Sequence, residues 1–463
     1  MSPPLFLLSA TIVSGCAGVP DTARHDSARP DSSPSPGAAS PTAVVTGTQH
    51  AGRLGVAVAT LPDQDGDGRA EWAAAASAVG TMRQGAAWVR SGPPSDDTLA
   101  PADATIQGSL DIERLGQAMA SVGDMDGDGA AELVLGGIHL GDPQRMHGGV
   151  RVLWGDGTRT TLTGDGMMEH AGWAIASSGP SREAVLVGTP YRRSQDDAVD
   201  ARGFPEALGR VYVLEDLGDG TLASRAGGVL EGVGSWAGFG ASVAGSDLDG
   251  DGLDDAIVGI PSGVSSGVPV GRVAWFAGPL DGVRTMDDRD AVWEGAPGDH
   301  LGFSIHAGGD LDGDGTADVL LGAYKAGGEV DDAGAVIVVD GATRQVTGRL
   351  TAARPGSMLG ASVATRPLAD GGAELVAGAP GWPVEGERAG AVVRHAGPVV
   401  GLVPVEEATL LSSPSPRVEL GHALSAERDL DGDGTVDLLV GAPRWTAAAG
   451  RTGAVLFYAG SEL

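Results

Sequence analysis

The stretch Asp310-Leu-Asp312-Gly-Asp314-Gly-Thr-Ala-Asp318 decides how this chain is read. It sets carboxylates at positions 1, 3, 5 and 9 of a nine-residue loop, with glycines at positions 4 and 6. Four more copies follow the same rule. They are Asp63-Gln-Asp65-Gly-Asp67-Gly-Arg69-Ala-Glu71, Asp124-Met-Asp126-Gly-Asp128-Gly-Ala130-Ala-Glu132, Asp247-Leu-Asp249-Gly-Asp251-Gly-Leu253-Asp-Asp255 and Asp429-Leu-Asp431-Gly-Asp433-Gly-Thr435-Val-Asp437. Carboxylates this close repel one another unless a cation lies among them. Hard oxygen ligands on a flexible loop suit Ca²⁺, and the glycines permit the left-handed angles that turn a chain around an ion. An apolar run of β type follows position 9 directly, as in Asp437-Leu-Leu-Val440, so the helix that an EF-hand would place there is not expected.

Around each loop lies a longer unit. A strand opens it in Leu-Gly or a variant (Leu54-Gly55, Leu115-Gly116, Leu301-Gly302). The acidic loop comes next, then an apolar run ending in Gly-Ala-Pro or a relative (Gly441-Ala442-Pro443, Gly259-Ile260-Pro261). A third strand (Gly209 to Leu214, Gly453 to Tyr458) and a short fourth (Thr105 to Gly108, Val229 to Gly232) complete it. Two further units keep the strands and lose the loop. One has Ser177 to Glu183 in its place, and the other retains only Asp370 and Glu374. Opening glycines at Gly55, Gly116, Gly172, Gly238, Gly302, Gly360 and Gly421 count seven units, with a period of about 60 residues, as for four-stranded blades with long connections. The chain stops after the third strand of unit seven, and an orphan fourth strand, Ala43-Val-Val-Thr-Gly47, precedes unit one. The expectation is an all-β, seven-bladed β-propeller over residues 43–463, closed by an N-terminal strand that completes blade seven and leaves no open edge at the seam.

These units resemble FG-GAP repeats, which build the seven-bladed propeller of integrin alpha subunits and occur in bacterial surface proteins. The opening Phe239-Gly240 and its Leu-Gly variants, the acidic loops and the Gly-Ala-Pro ends carry the likeness, over roughly residues 43–463. The resemblance implies that positions 1, 3, 5 and 9 ligate Ca²⁺ through side chains. Position 7 (Arg69, Ala130, Leu253, Thr316, Thr435) would give its backbone carbonyl. Glu71 and Glu132 depart from the usual aspartate, and their longer reach changes the geometry expected in blades one and two. Blades three and six are expected to hold no ion. The metals are read as structural, because the loops spend their carboxylates on the ion.

Composition narrows the partners. The formal net charge is −31, with one lysine, Lys325; five divalent ions would bring it to about −21. Phosphate binding needs clustered bases, so nucleic acid is not the expected partner. The single cysteine, Cys16, excludes an intrachain disulfide. It follows the apolar run Leu5 to Val13 in Val13-Ser14-Gly15-Cys16, which resembles a bacterial lipoprotein signal except that no base precedes the run. The expected organisation is a signal peptide over 1–15 and a lipidated Cys16 with a Pro/Ser/Ala-rich tether over 16–42. The propeller follows, exported and lipid-anchored to a membrane of the cell envelope.

Strand alternation puts the 1–2 and 3–4 loops on one face of the disc and the 2–3 and 4–1 loops on the other. The face away from the acidic loops carries Tyr191, Arg192, Arg193, Phe204, Trp236, Trp382, Arg444 and Trp445, read as exposed aromatics beside arginines that recognise protein or glycan. In integrin alpha subunits the corresponding face engages ligand and partner subunit. His50, His170 and His300 recur before opening strands and are read as turn residues. Trp88, Trp154 and Trp275 are read as packing between blades. No His-Glu-x-x-His pair or phosphate loop is present. The leading reading is a calcium-stabilised surface binding or adhesion module rather than an enzyme. A propeller enzyme of polysaccharide lyase or phosphodiesterase type and an envelope scaffold are the alternatives.

Overall fold

Seven antiparallel sheets stand around an axis in the computed structural model, which describes residues 40–463 apart from 100–101, 142–144, 167, 180–183, 192–207, 234–236, 266, 328–329, 414 and 449. The expected signal peptide, Cys16 and nearly all of the tether lie outside the described residues, as do Arg192, Arg193, Phe204 and Trp236. The innermost strands are Ala57–Leu61, Leu115–Ser121, Ala174–Ser177, Ser242–Ser246, Ile305–Ala307, Ser362–Pro367 and Leu424–Ser425. Each contacts the next, and the last returns to the first. Within blades one to six the strands pair in chain order from the axis outward, as in Ala57–Leu61, Glu71–Ala76, Ala86–Arg90 and Ala104–Gln107. Blade seven is completed as expected. Ala43–Thr46 pairs antiparallel with Ala454–Tyr458, Ala43 opposite Phe457 and Thr46 opposite Ala454. Thr42 Oγ1 donates to Glu462 (2.8 Å) and accepts from Ala459 N–H (2.9 Å), fastening the seam.

The repeated glycines have a steric reason. A Cβ on Gly441, in the second strand of blade seven, would sit 2.0 Å from the carbonyl oxygen of Gly55, which opens blade one. The same near-contact recurs at Gly136 against Gly172, Gly188 against Gly240, Gly259 against Gly302, Gly322 against Gly360 and Gly378 against Gly421. The Gly of Leu-Gly and the Gly of Gly-Ala-Pro are therefore two halves of one blade-to-blade contact. Blade one carries Ala75 at this place, and the adjoining strand of blade two shifts register between Leu115 and Met119. The contact corrects one repeat assignment. The opening glycine of blade four is Gly240, not Gly238. Gly238 occupies the left-handed position one residue before the opening pair, held elsewhere by Arg53, Arg114, His170, His300, Met358 and Glu419. His170 and His300 are thus turn residues, as read.

The four-strand expectation needs enlarging in four blades. Asp97–Thr98, Gly220–Thr221, Gly282–Thr285 and Gly401–Pro404 come from 3–4 connections of blades one, three, four and six. Each adds a parallel fifth strand to the rim of the preceding blade. They cover outer edges that would otherwise present unpaired backbone groups. The core lies between blades: Trp275 is fully buried with Leu301, Val319, Leu321 and Val339 of blade five. Trp88 packs half-buried as expected, and Trp154 does so from just past its third strand. Among the described residues no helix is long and apolar enough to cross a membrane.

Candidate metal loops and the opposite face

Each acidic loop ties itself into a bowl with its own carboxylates. In blade five, Asp310 accepts N–H bonds from Gly313 (2.6 Å) and Gly315 (2.9 Å), and Asp314 accepts from Thr316 (2.8 Å). Both glycines are left-handed, with φ 87° and 90°, while a Cβ on either would meet nothing; their need is conformational, not spatial. Asp63, Asp124, Asp247 and Asp429 repeat the bonds to positions 4 and 6 at 2.6–3.0 Å. The position-9 carboxylate differs from the other three because it stands at or just before the start of the second strand and is buried. It accepts N–H from position 2 in every loop: Gln64 to Glu71, Met125 to Glu132, Leu248 to Asp255, Leu311 to Asp318 and Leu430 to Asp437.

The carboxylates converge as metal donors would. Asp124, Asp126, Asp128 and Glu132 place ligand oxygens within 4.8 Å of one another, as do Asp63 with Asp65 and Glu71, Asp247 with Asp249 and Asp251, and Asp310 with Asp312 and Asp318. Glu132 therefore reaches its site despite the extra methylene. Its Oε1 is buried without a hydrogen-bond partner, the arrangement expected of an oxygen meant for a cation. Burial pushes Glu132 up to about 7 and Asp255, Asp318 and Asp437 up to about 6, with neighbouring aspartates adding to the rise. A hard divalent cation fits this donor set and would hold the groups ionised. Two participants escaped the sequence reading. Asp340, just past the third strand of blade five, joins Asp312 and Asp314 within the same distance. Arg344 crosses from blade five to Asp249 (3.0 Å) and lies over Trp275, 4.2 Å from the ring centre.

In blade six two guanidinium groups approach the carboxylate that stands at loop position 9. Glu374 occupies the position-9 place, and both Arg366 (2.8 Å) and Arg394 (2.9 Å) bind it, all three side chains buried. Arg366 stands directly across the ladder from Glu374. Arg366 also donates to the Val436 carbonyl (3.2 Å) and Arg394 to the Leu463 carbonyl (3.0 Å), so the triad ties blade six to blade seven. In blade three, Ser178 donates to the buried Asp254 of blade four (2.9 Å).

On the opposite face the aromatic residues are less open than their sequence setting implied. Trp382 is only 4% exposed. The 2–3 turn folds it inward, its N–H donating to Ala379 and its carbonyl accepting from Ala389 and Gly390, with Arg354 over the ring at 4.9 Å. Trp445 sits at the equivalent turn of blade seven, half-buried. Tyr191 packs edge-on against Trp173 (5.2 Å) and His170 (5.6 Å). Arg444 pairs with Glu419 (3.2 Å).

The chain was compared with known protein families, relatives and solved structures. The FG-GAP repeat model matches residues 301–339 and 420–458, in blades five and seven. Integrin alpha-IIb of Homo sapiens is 31% identical over 224 residues, 44% of this chain and 20% of the relative. Integrin alpha pat-2 of Caenorhabditis elegans is 29% identical over 235 residues, 47% of this chain and 18% of the relative. Integrin alpha-5 of Xenopus laevis is 29% identical over 229 residues, 47% and 20%. The chain thus spans about a fifth of the length of these relatives. Among solved structures, BBS1N in complex with ARL6DN aligns with a TM-score of 0.45 and 12% identity, covering 90% of this chain and 93% of that one. The chain carries FG-GAP repeats and is distantly related to integrin alpha subunits.

Proposed function

We propose that this chain is a calcium-braced propeller that serves as a binding or adhesion module on an envelope surface, engaging protein or glycan through the face opposite the acidic loops. Cys16 would anchor it by lipid. The observation that carries the calcium reading is the blade-two cluster, where four carboxylates converge and a buried glutamate oxygen has no other partner. Asp63, Asp65, Asp67 and Glu71, with their counterparts in blades two, four, five and seven, would hold Ca²⁺, and the position-7 carbonyls would add a backbone ligand. The ion would supply charge neutralisation that fixes each 1–2 loop against its strand.

The axial passage favours binding over catalysis. Its walls are the small inner-strand side chains, such as Ala57, Ala174, Ser242, Ser304 and Ala423, with His422. The serines are already committed, Ser242 to the Gly302 carbonyl and Ser304 to that of Gly360.

Two measurements test the proposal. Calorimetric titration of the chelated protein with Ca²⁺ is expected to show several sites, with Glu132→Gln removing one. The calcium-loaded protein, immobilised and exposed to protein and glycan arrays, is expected to retain ligands that a chelator releases. No calcium uptake, or an array with no retained ligand, would overturn the corresponding half.

A further inference from the structure

On the face away from the acidic loops, the 2–3 connection of blade one meets the connection entering blade two. Ile112 N–H donates to the Met82 carbonyl (2.7 Å) and Arg114 N–H to the Arg83 carbonyl (3.2 Å). Arg83, Ile112 and Arg114 are all left-handed, with φ 58°, 57° and 55°. For a β-branched residue such as Ile112 that conformation is a true outlier. The strain presents apolar surface to water, for Met82 is 49% exposed and Ile112 36%.

The charges beside them are equally unfavourable for folding alone. Arg83 is exposed and Arg114 half-buried, and neither has an ion pair among the described residues. Burial, then the charges of Arg83 and Arg53, push the Arg114 guanidinium below its usual value. Glu113, between Ile112 and Arg114 in sequence, does not neutralise them. It is fully buried and held by Arg151 (3.0 Å) and the amides of Ser109 and Leu110. A chain of net charge −31 has thus gathered arginines around an exposed apolar pair on strained backbone.

The left-handed turn itself recurs ahead of the other opening pairs, whereas the exposed apolar side chains and the bunched like charge are particular to this place; both oppose stability, and both are relieved by one kind of occupant. Carboxylates would answer the arginines, and an apolar side chain would cover Met82, whose flexible thioether adapts to varied shapes, together with Ile112. We propose that Met82, Arg83, Ile112 and Arg114 form the docking site for a segment of a partner protein in which acidic and apolar residues alternate. This rests on the binding-module reading and names the place and chemistry of recognition within it. A sulfated or phosphorylated polymer would use the arginines and leave the apolar pair uncovered.

The test is fluorescence anisotropy of the whole chain in fixed free calcium with a labelled (Asp-Leu)4 peptide amide, against (Asp-Gly)4 and heparin. The expected result is saturable binding of the first peptide. Arg83→Glu with Arg114→Glu should weaken it about tenfold or more, and Met82→Ser with Ile112→Ser about threefold or more. Both variants should keep their calcium-dependent melting, which excludes misfolding. Equal or tighter binding of (Asp-Gly)4 or heparin would overturn the proposal in favour of a plain polyanion site. Peptide binding that survives both variants, or failure of this peptide while the arrays above still retain ligands, would overturn the site and leave the binding-module reading standing. Failure of every probe would remove both.

Discussion

Replacing Glu374 by alanine would strand two guanidinium groups in the interior of blade six. The Arg366 and Arg394 side chains are 7% and 5% exposed, and Glu374 is the carboxylate that both bind. Removing one member of a buried charge group costs about 3–5 kcal/mol, because the desolvation of the remaining charges is no longer offset. Each calcium loop is worth much less. With a dissociation constant of about 10⁻⁴–10⁻³ M and about 1 mM calcium, one site adds roughly 0.4–1.4 kcal/mol. Urea unfolding followed by tryptophan fluorescence, with calcium and with chelator, separates the two. Glu374→Ala should lose about 3–5 kcal/mol in both conditions. Asp310→Ala should lose roughly 0.4–1.4 kcal/mol in calcium, and much of that difference should vanish in chelator. The triple change Arg366→Met, Glu374→Leu, Arg394→Met, which removes every charge, should cost far less than Glu374→Ala alone. A loss below about 1 kcal/mol for Glu374→Ala, or one that disappears on chelation, would refute the idea that arginines take the cation's place in this blade.

Other outcomes follow from the same geometry. Chelation should lower the melting temperature, five independent sites summing to roughly 2–7 kcal/mol, as scanning calorimetry with and without a chelator will show. The folded pKa values of Asp255, Asp318, Asp437 and Glu132 lie above their ordinary values. The metal-free fold therefore binds more protons than the unfolded chain, and this contribution to stability is lost as pH rises through about 4 to 7. Calcium favours the ionised forms, so the calcium-induced rise in melting temperature should be small near pH 5 and large near pH 7.5; equal shifts at both would contradict it. Gly322→Ala should cost about 1–3 kcal/mol by chemical denaturation, since its Cβ would lie 2.1 Å from the Gly360 carbonyl oxygen. Feeding cells an alkyne-tagged fatty acid should label the wild-type chain and not Cys16→Ala; label on both would exclude lipidation at that cysteine.

The blade count, the strand order and the closing strand were legible because they are written in period and alternation. Ala43-Val-Val-Thr46 repeats a fourth-strand pattern ahead of the first unit, and it pairs where that pattern requires. The acidic loops were legible because their ligands are local, within nine residues. What escaped was non-local. Asp340 lies a whole hairpin beyond the loop it faces, and Arg366 and Arg394 meet Glu374 only through the ladder. The parallel rim strands are two to four residues long and belong to another blade's connection, so no periodicity marks them. Trp382 read as open because it sits in a turn beside Gly381 and Pro383, yet the turn's own hydrogen bonds roll it inward. Gly238 passed for an opening glycine because in blade four the left-handed residue two positions before the close-contact glycine is itself a glycine.

The seam in blade seven has a further consequence. Ala43 enters the disc at its rim, opposite Phe457, beside the end of the third strand, where Gly460 N–H meets Asp437 of the acidic loop (2.7 Å). Anything that pulls on the chain ahead of Ala43 therefore pulls on one outer strand, on the side of the acidic loops, and not on the centre of either face. A tethered molecule would hang by its edge like a plate on a hook. The surface carrying Met82 and Arg114 would then tilt outward, away from whatever holds the hook.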